Sequence, residues 1–277
     1  MTDLSSPIKT MKLYTHVERV ERELAAQGLN QGPLATEDLV AMDQLHYGGV
    51  AVVDEAIEQL GLQSGDHVLD VGAGLGGPAR HIAKKVGCAI TAVELQSDLN
   101  TLAQQLTERC QLGDQITHQC GDILDTPLPS QSFDALVSWL TVLHIPDRDA
   151  LFSRCHEAIK TGGQIYIEDF CAQQVLSREV KDQLAEDVFC HYLPTSAQYE
   201  QDLLDAGFVS IEMENMSPDW TKFVSMRLAK FQAGADEFVA RHGEPTYRAL
   251  HHFYRSIVRL FDSGAIGGLR IQAVAAR

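Results

Sequence analysis

The chain has 277 residues, of which 45% are hydrophobic and 22% are charged. This composition is that of an ordinary globular protein and excludes a collagen-like, low-complexity or wholly disordered chain. Aspartate and glutamate exceed lysine and arginine by 38 to 22, so the formal net charge is −16. A surface of that sign repels phosphate backbones and anionic lipids, which disfavours nucleic acids and membranes as partners, and it is compatible with a small neutral, zwitterionic or cationic ligand.

Cysteine usage and the N-terminus bear on the compartment. The six cysteines have irregular spacings and form no Cys-x-x-Cys pair. Such a set is typical of reduced thiols, so we expect a cytoplasmic protein. We also expect it to be a monomer or a homodimer. The N-terminal sequence MTDLSSPIKTMK has no apolar signal-peptide run, and no segment approaches the roughly 18 uninterrupted apolar residues of a membrane span.

The first 60 residues are predicted to form a helical lid. Residues 1–12 are polar and are predicted to be disordered. Apolar residues then recur at helical spacing from Leu13 to Leu24, and Gly28 ends this first helix. Thr36 is the predicted N-cap of a second helix that ends near Tyr47, and a third helix follows over 50–61.

From Asp66 onward, short apolar runs alternate with helical stretches. This alternation predicts a parallel, doubly wound sheet with right-handed crossovers. Near-continuous apolar runs are typical of strands that are buried on both faces. The predicted strands are 67–72, 89–95, 116–122, 133–139 and 163–170, with helices around 77–86, 98–111 and 148–160.

The regular alternation ends after residue 170. Two late strands are predicted over 208–216 and 269–277, and helices are predicted over 175–191, 196–206, 220–241 and 244–262. The predicted fold class is therefore α/β, a Rossmann-like seven-stranded sheet. Its predicted parts are the lid (1–60), a ligand-binding core (61–170) and a helical cap insertion with the last two strands (171–277).

A glycine-rich turn joins the first predicted strand of the core to its helix. Gly72, Gly74, Gly76 and Gly77 allow the backbone to approach a ligand closely there, beside the free N–H groups of a helix N-terminus. Gly72, Gly74 and Gly77 also fit the G-x-G-x-x-G pattern of dinucleotide sites. The glycines alone leave the ligand open.

Acidic residues at the ends of three strands favour S-adenosylmethionine over a dinucleotide. Asp70 stands two residues before the first glycine, where it would repel a pyrophosphate but suits an ammonium group. Glu94 ends the second strand and suits ribose hydroxyls, as it would in either kind of site. Asp122, followed by Ile123, suits an adenine. The alternative is that Asp70 and Asp122 only cap their loops.

At these residues the chain resembles class I S-adenosylmethionine-dependent methyltransferases, over about residues 45–215. The matching segments are VLDVGAGLGG, AVEL, GDI, FDALVS and IKTGGQIYIEDF, with Thr161 where the family usually has proline. The resemblance implies a cofactor, S-adenosyl-L-methionine, and a product, S-adenosyl-L-homocysteine. The cofactor-binding residues that it implies are Asp70, Gly72, Ala73, Gly74, Glu94, Leu95, Asp122, Ile123 and Trp139.

A narrower resemblance involves the phosphoethanolamine and sarcosine/dimethylglycine N-methyltransferases. Their L-H-x-x-D-(K/R)-x-x-L-F stretch is similar to VLHIPDRDALF at 142–152, and their paired glycine is similar to Gly48-Gly49. In the phosphoethanolamine enzymes the histidine of this stretch lies at the active site and works with an N-terminal tyrosine. The resemblance implies that His144 is catalytic; the alternative is a buried packing histidine.

The chain also departs from these relatives. Leu140 stands where they have an aspartate, and 182–199 contains no lysine or arginine to hold a phosphate, which disfavours phosphoethanolamine as the acceptor. No tyrosine of the first helices aligns with theirs. Tyr47 is the nearest candidate for a catalytic tyrosine, and Tyr14 is predicted to lie on a helix surface.

The lid and cap are expected to close over the methyl group and to bind the acceptor. Trp220 and Arg227, seven residues apart, are predicted to share a helix face, where Arg227 can bind a carboxylate. Arg255 and Arg259 have no assigned role, and His251-His252 has no third ligand at metal spacing, so no metal site is predicted. The predicted acceptor-binding residues are Trp139, Leu140, Tyr192, Trp220 and Arg227.

The expected function is methyl transfer from S-adenosylmethionine to a small polar metabolite. N-methylation of an amino acid or related amine is the best-supported acceptor chemistry, with His144 as general base or orienting group. S- or O-methylation of a small carboxylic acid and C-methylation of a natural product stay open. An NAD-dependent oxidoreductase and a cofactor-binding module without catalysis are the rival classes.

Overall fold

The computed structural model describes residues 17–277, and within them the core is a seven-stranded sheet. The predicted start of the first helix at Leu13, the polar segment 1–12 and the assignment of Tyr14 lie outside the described residues. Every predicted strand is present. The strands are β1 His67–Val71, β2 Ala89–Glu94, β3 Ile116–Cys120, β4 Phe133–Trp139, β5 Ile159–Ala172, β6 Phe208–Asn215 and β7 Ile266–Ala275.

The order of the strands locates the ligand-binding edge of the sheet. The order is β3-β2-β1-β4-β5-β7-β6, with β1 to β5 parallel and β7 antiparallel to both neighbours. The chain runs outward from β1 to β3 and then returns to place β4 on the other side of β1. Such a reversal opens a crevice beyond the carboxyl ends of the strands, here those of β1 and β4.

Helices cover both faces of the sheet and build the lid and cap. Buried apolar clusters line the two faces, and a third cluster joins the cap helices to Tyr47 and Phe170. Within residues 17–277 no helix is both long and apolar enough to cross a membrane. The described helices are α1 Glu18–Ala26, α2 Val40–Asp43, α3 Val50–Leu60, α4 Gly77–Val86, α5 Ser97–Arg109, α6 Arg148–Ala158, α7 Arg178–Asp187, α8 Ser196–Asp205, α9 Ser217–Ala233, α10 Ala235–His242 and α11 Glu244–Asp262.

Two helix predictions are wrong. The predicted helix over 36–47 is a 3₁₀ turn at Thr36–Asp38 followed by the single turn α2, and Thr36 is not its N-cap. The segment leaves helical geometry because its polar side chains, including Asp43 and His46, are drawn into the protein. The predicted helix over 220–241 is two helices, since the chain turns at Gly234, a poor helix former.

A buried ion pair anchors the lid to the core. Arg80 of α4 is 1% exposed, and its Nη2 donates to the Asp43 carboxylate at 2.9 Å. The same guanidinium donates to the backbone carbonyls of Leu75 and Ala103 and to the Thr107 hydroxyl. Because Leu45 and His46 lie two and three residues after Asp43, this pair fixes where the segment crosses the crevice.

Candidate active site

A cavity of about 690 Å³ opens at the carboxyl ends of β1, β2 and β4. Its volume lies within the usual range for small-molecule sites. Strand ends and the lid segment at 43–46 enclose it. Every residue predicted to bind the cofactor lies in its lining: Asp70, Gly72, Ala73, Gly74, Glu94, Leu95, Asp122, Ile123 and Trp139.

Asp70 is a buried carboxylate that lacks a full set of partners. It is 1% exposed, and its Oδ2 has no hydrogen-bond partner among the described residues. Burial, together with the nearby Glu94, raises its pKa to about 7. A buried carboxyl group with an unused oxygen is costly unless a ligand satisfies it, and an ammonium group would do so.

Glu94 both shapes the glycine loop and lines the cavity. Its carboxylate accepts the backbone N–H of Gly74 at 2.9 Å and of Gln96 at 2.8 Å. Burial raises its pKa, and these two hydrogen bonds oppose the shift. Since each carboxylate oxygen can accept more than one hydrogen bond, both retain capacity for ribose hydroxyls.

Asp122 has the loop-capping role that the sequence left as an alternative, and it also lines the cavity. Its Oδ1 accepts the backbone N–H of Leu124 at 3.0 Å. The side chain of Ile123 is buried in the same lining. In the same lining, Nε1 of Trp139 is buried with no partner among the described residues, so a ligand acceptor can satisfy it.

At Gly72 and Gly77 the glycine loop leaves no space for side chains. A Cβ at Gly72 would lie 2.1 Å from the Thr141 hydroxyl oxygen, and a Cβ at Gly77 would lie 2.4 Å from the Asp43 carbonyl oxygen. Gly72 and Gly74 also have φ values of +76° and +54°, which favour glycine. The loop is therefore a close-packed backbone cradle between β1, β4 and the lid. Together with the unsatisfied Asp70 and Trp139 atoms, it fits S-adenosylmethionine.

A second cavity of about 440 Å³ adjoins the first. Five residues line both cavities, so the two cavities lie against the same side chains, and this shared wall is called the junction below. Phenylalanines from β5 and the cap helices supply much of the second lining. The shared residues are Leu45, His46, Leu99, Leu140 and His144.

His144 lies at the junction with a defined protonation state. It ends a 3₁₀ turn after β4, and its Nδ1 is 3.2 Å from the backbone carbonyl oxygen of Phe189. A carbonyl can only accept, so Nδ1 carries the proton and Nε2 is left as an acceptor. Burial, together with the positive charge of Arg148, lowers the pKa of His144 to about 4, although the hydrogen bond with the Phe189 carbonyl opposes this shift. The imidazole is therefore neutral at neutral pH.

The sequence analysis missed His46. Its Nε2 lies 3.1 Å from the carbonyl oxygen of Gly49, so its Nδ1 is the acceptor, and its ring packs on Trp139 with centroids 5.4 Å apart. Burial lowers the pKa of His46 to about 4. The paired glycine two residues downstream was the available signal, because it fixes the turn that buries this ring.

Tyr47 and Arg227 meet in the second cavity. The Arg227 guanidinium lies over the Tyr47 ring, 4.8 Å from its centroid, and Nη2 is 3.5 Å from the Tyr47 hydroxyl. Trp220 packs edge-on against the same ring, with centroids 4.9 Å apart. Trp220 and Arg227 thus both contact Tyr47 from one face of their helix, as predicted. Trp220 is not part of the lining of the second cavity, whereas Arg227 is.

The structure does not bring Tyr192 to this site. Tyr192 is 39% exposed and lines a separate cavity of about 270 Å³ between β5 and the loop after α7. The sequence predicted it from its position in the insertion, but the loop turns its ring away from the junction. Leu140 does lie at the junction, in a left-handed backbone conformation with a φ of +53°.

Comparison with known proteins identifies the family. The sequence profile of the mycolic acid cyclopropane synthetase family matches residues 40–271. The chain therefore belongs to this family of class I S-adenosylmethionine-dependent methyltransferases. The class and the cofactor inferred from the motifs are thereby confirmed.

Individual relatives include N-methyltransferases. Phosphoethanolamine N-methyltransferase 1 of Zea mays is 27% identical over 234 residues, covering 84% of this chain and 46% of the relative. The chain thus spans about half the length of such curated relatives. A Haemonchus contortus phosphoethanolamine N-methyltransferase 2, solved with phosphomonomethylethanolamine and S-adenosylhomocysteine, has a TM-score of 0.79 at 23% identity, covering 92% of this chain and 59% of that one.

A second solved structure matches along most of both chains. The putative sarcosine dimethylglycine methyltransferase from Galdieria sulphuraria has a TM-score of 0.73 at 19% identity, covering 82% of this chain and 84% of that one. At these identities, the structural likeness establishes the fold. The acceptor has to be argued from this chain's own cavities.

Proposed function

We propose that this protein transfers a methyl group from S-adenosylmethionine to the nitrogen of a small amine. The observation that carries this proposal is the neutral His144 at the junction of two cavities, with its Nε2 free to accept. The first cavity would hold the cofactor and the second the acceptor. The N-methyltransferases among the relatives support the same acceptor atom.

In the first cavity, the residues have complementary roles. Asp70 would pair with the ammonium group, Glu94 would accept the ribose hydroxyls, and Asp122 with Ile123 would hold the adenine. S-adenosylmethionine supplies an electrophilic methyl group, whose S–C bonding electrons remain on sulfur as the N–C bond forms. The protein's own contribution is alignment and exclusion of water, which can lower a barrier by roughly 7–11 kcal/mol.

His144 acts in this scheme as an orienting group more than as a strong base. A free amine must present its lone pair to the methyl carbon, so its N–H bonds have to point elsewhere. Nε2 of His144 accepts one such N–H. Because burial lowers the pKa of His144 to about 4, a proton that reaches it passes readily to solvent. Of the two roles expected from the sequence, general base or orienting group, we therefore propose the orienting one.

Substitutions at His144 test this role in the full chain. His144→Ala should lower kcat roughly 10²-fold through misalignment, with cofactor affinity nearly unchanged. His144→Gln keeps an acceptor and should recover part of the loss. Since His144 does not titrate above about pH 6, neither variant should change the shape of the pH–rate profile between pH 6 and 9.

The assay supplies methyl-labelled S-adenosylmethionine with a panel of amines and identifies products by mass. His191→Ala is the matched control, because His191 lies exposed on the cap surface. A labelled methyl group on nitrogen is the expected product. Full activity of His144→Ala, or loss of a rate-controlling pKa near 6.5 in that variant, would refute the orienting role.

Methylation of a carbon atom is a second candidate, and the aromatic lining of the second cavity favours it. Phe170, Phe223 and Phe253 line that cavity, and aromatic faces stabilise the carbocation that an alkene forms when it is methylated. His144 Nε2 would then accept the proton that the carbocation loses. In the same assay with an isoprenoid or an unsaturated fatty acid as the acceptor, a labelled methyl group on a carbon atom of the acceptor would identify this activity.

A further inference from the structure

The second cavity has a positively charged lining in a chain whose formal charge is −16. Arg19 and Arg227 both line it, and Nε of each is buried without a hydrogen-bond partner among the described residues. Glu23 is the one carboxylate of the described lining. It is already paired, at 2.6 Å to both Arg241 and His242. An anionic ligand group would meet free donors here.

Arg227 is held in place by rings and lacks an anionic partner. Its guanidinium lies 4.8 Å from the ring centroid of Tyr47, 4.6 Å from that of Tyr254 and 5.6 Å from that of Phe223. No carboxylate of residues 17–277 forms an ion pair with it, and its Nη2 donates a long hydrogen bond of 3.5 Å to the Tyr47 hydroxyl. Stacked rings fix the orientation of the guanidinium without neutralising its charge.

The size and chemistry of the walls restrict the rest of the ligand. About 440 Å³ is much more than a two- or three-carbon amine would fill, so such an acceptor would leave water against the phenylalanine side chains. An apolar body removes that water. The Arg227 fork beside the Tyr47 hydroxyl matches the two oxygens of a carboxylate.

We propose that the second cavity binds an amino carboxylic acid with an apolar body, whose carboxylate pairs with Arg227. The apolar body packs against the aromatic walls, and the amine lies at the junction beside His144. The position of the amine rests on the function proposed above, whereas the carboxylate site does not. The acceptor is therefore larger and more apolar than sarcosine or phosphoethanolamine.

Calorimetry on the full chain, with S-adenosylhomocysteine present, tests the carboxylate site. The probe is 3-phenylpropionate, and its neutral and phosphorylated counterparts are 3-phenylpropan-1-ol and 2-phenylethyl phosphate. The carboxylate should bind roughly 10- to 100-fold more tightly than the alcohol, because it gains a charged hydrogen-bonded pair. It should also bind more tightly than the phosphate.

Variants assign the effect to one side chain. Arg227→Met should abolish the preference for the carboxylate while leaving the affinity for the alcohol unchanged, and Arg227→Lys should restore part of it. Arg255→Met is the matched control, since Arg255 is exposed on α11 and lies outside the cavity lining. The thermal midpoint of each variant checks its folding, and the comparison of ligands on the unaltered protein holds even if a variant unfolds.

Each outcome bears on one proposal. Equal binding of carboxylate and alcohol, or an unchanged preference in a folded Arg227→Met, would overturn the carboxylate site. Tighter binding of the phosphate would replace it with a phosphorylated acceptor. If 3-phenylpropionate binds through Arg227 but no amine is methylated, the carboxylate site stands and the proposed N-methylation fails.

Discussion

Asp70→Asn should stabilise the ligand-free protein at pH 8 and weaken its binding of S-adenosylmethionine. The folded-state pKa of Asp70 is raised from 3.8 to about 7, so folding favours the protonated form. The free energy of unfolding therefore falls as the pH rises from about 4 to about 7, and it stays low above that. A shift of about three pKa units corresponds to about 4 kcal/mol, which is the most that the substitution can recover.

Binding of the ligand should show the opposite preference. The ligand's ammonium group needs the charged carboxylate, so the affinity of the unaltered protein should rise between pH 6 and 8. At pH 7, where about half of the Asp70 side chains are protonated, binding should release about half a proton. Asp70→Asn should bind roughly 10- to 100-fold more weakly, with no such dependence on pH.

Two measurements check this reasoning. Urea unfolding without ligand should show a stabilisation by Asp70→Asn that is small at pH 4.5 and several-fold larger at pH 8. Calorimetric titration with S-adenosylhomocysteine in two buffers of different ionisation enthalpy measures the proton release. Asp122→Asn removes a carboxylate from the same cavity and serves as the control. An affinity of the unaltered protein that does not change with pH would place the ammonium group elsewhere.

Three further outcomes follow from the geometry of the site. Glu94→Ala should weaken cofactor binding by about 1–3 kcal/mol, and it should also lower the thermal midpoint because two backbone N–H groups lose their acceptor. Glu94→Gln should mainly reduce the affinity for the cofactor, and calorimetry together with thermal unfolding separates the two effects. Gly74→Val should abolish cofactor binding with folding retained, since φ at this position is +54° and a valine Cβ would lie 3.2 Å from the Leu45 side chain. Normal cofactor binding by this variant would show that the loop is only a structural turn. Arg80→Met should lower the free energy of unfolding, measured in urea, by about 3–5 kcal/mol because it leaves Asp43 buried and unpaired. Adding Asp43→Asn should recover much of that free energy, and a loss under about 1 kcal/mol in Arg80→Met would contradict the anchoring role.

The core of the fold could be predicted because its signals are local. Each parallel strand is a short apolar run, and the glycines and acids that follow it sit where the chain leaves the sheet. Since the carboxyl ends of parallel strands share one edge, Asp70, Glu94 and Asp122 had to converge once the strands were recognised. Their lining of one cavity follows from that topology.

The lid could not be predicted in the same way. The pattern over 36–47 favours a helix, yet the buried pair between Asp43 and Arg80 draws the segment across the crevice. A partner 37 residues away decides its conformation, and no local pattern contains that partner. The same contact places His46 at the junction of the cavities, a position that only the paired glycine downstream indicated in the sequence.

The sequence by itself determined the class of protein, the cofactor edge of the sheet and a histidine beyond β4. Only the tertiary structure decided which cap residues line the second cavity. Arg227 and Tyr47 meet across 180 residues, whereas Tyr192, within the expected insertion, faces another cavity. The physical reason is that the sequence of an amphipathic helix indicates which of its faces is buried, but it does not indicate which other element that face packs against. The second cavity exists only where several such faces meet.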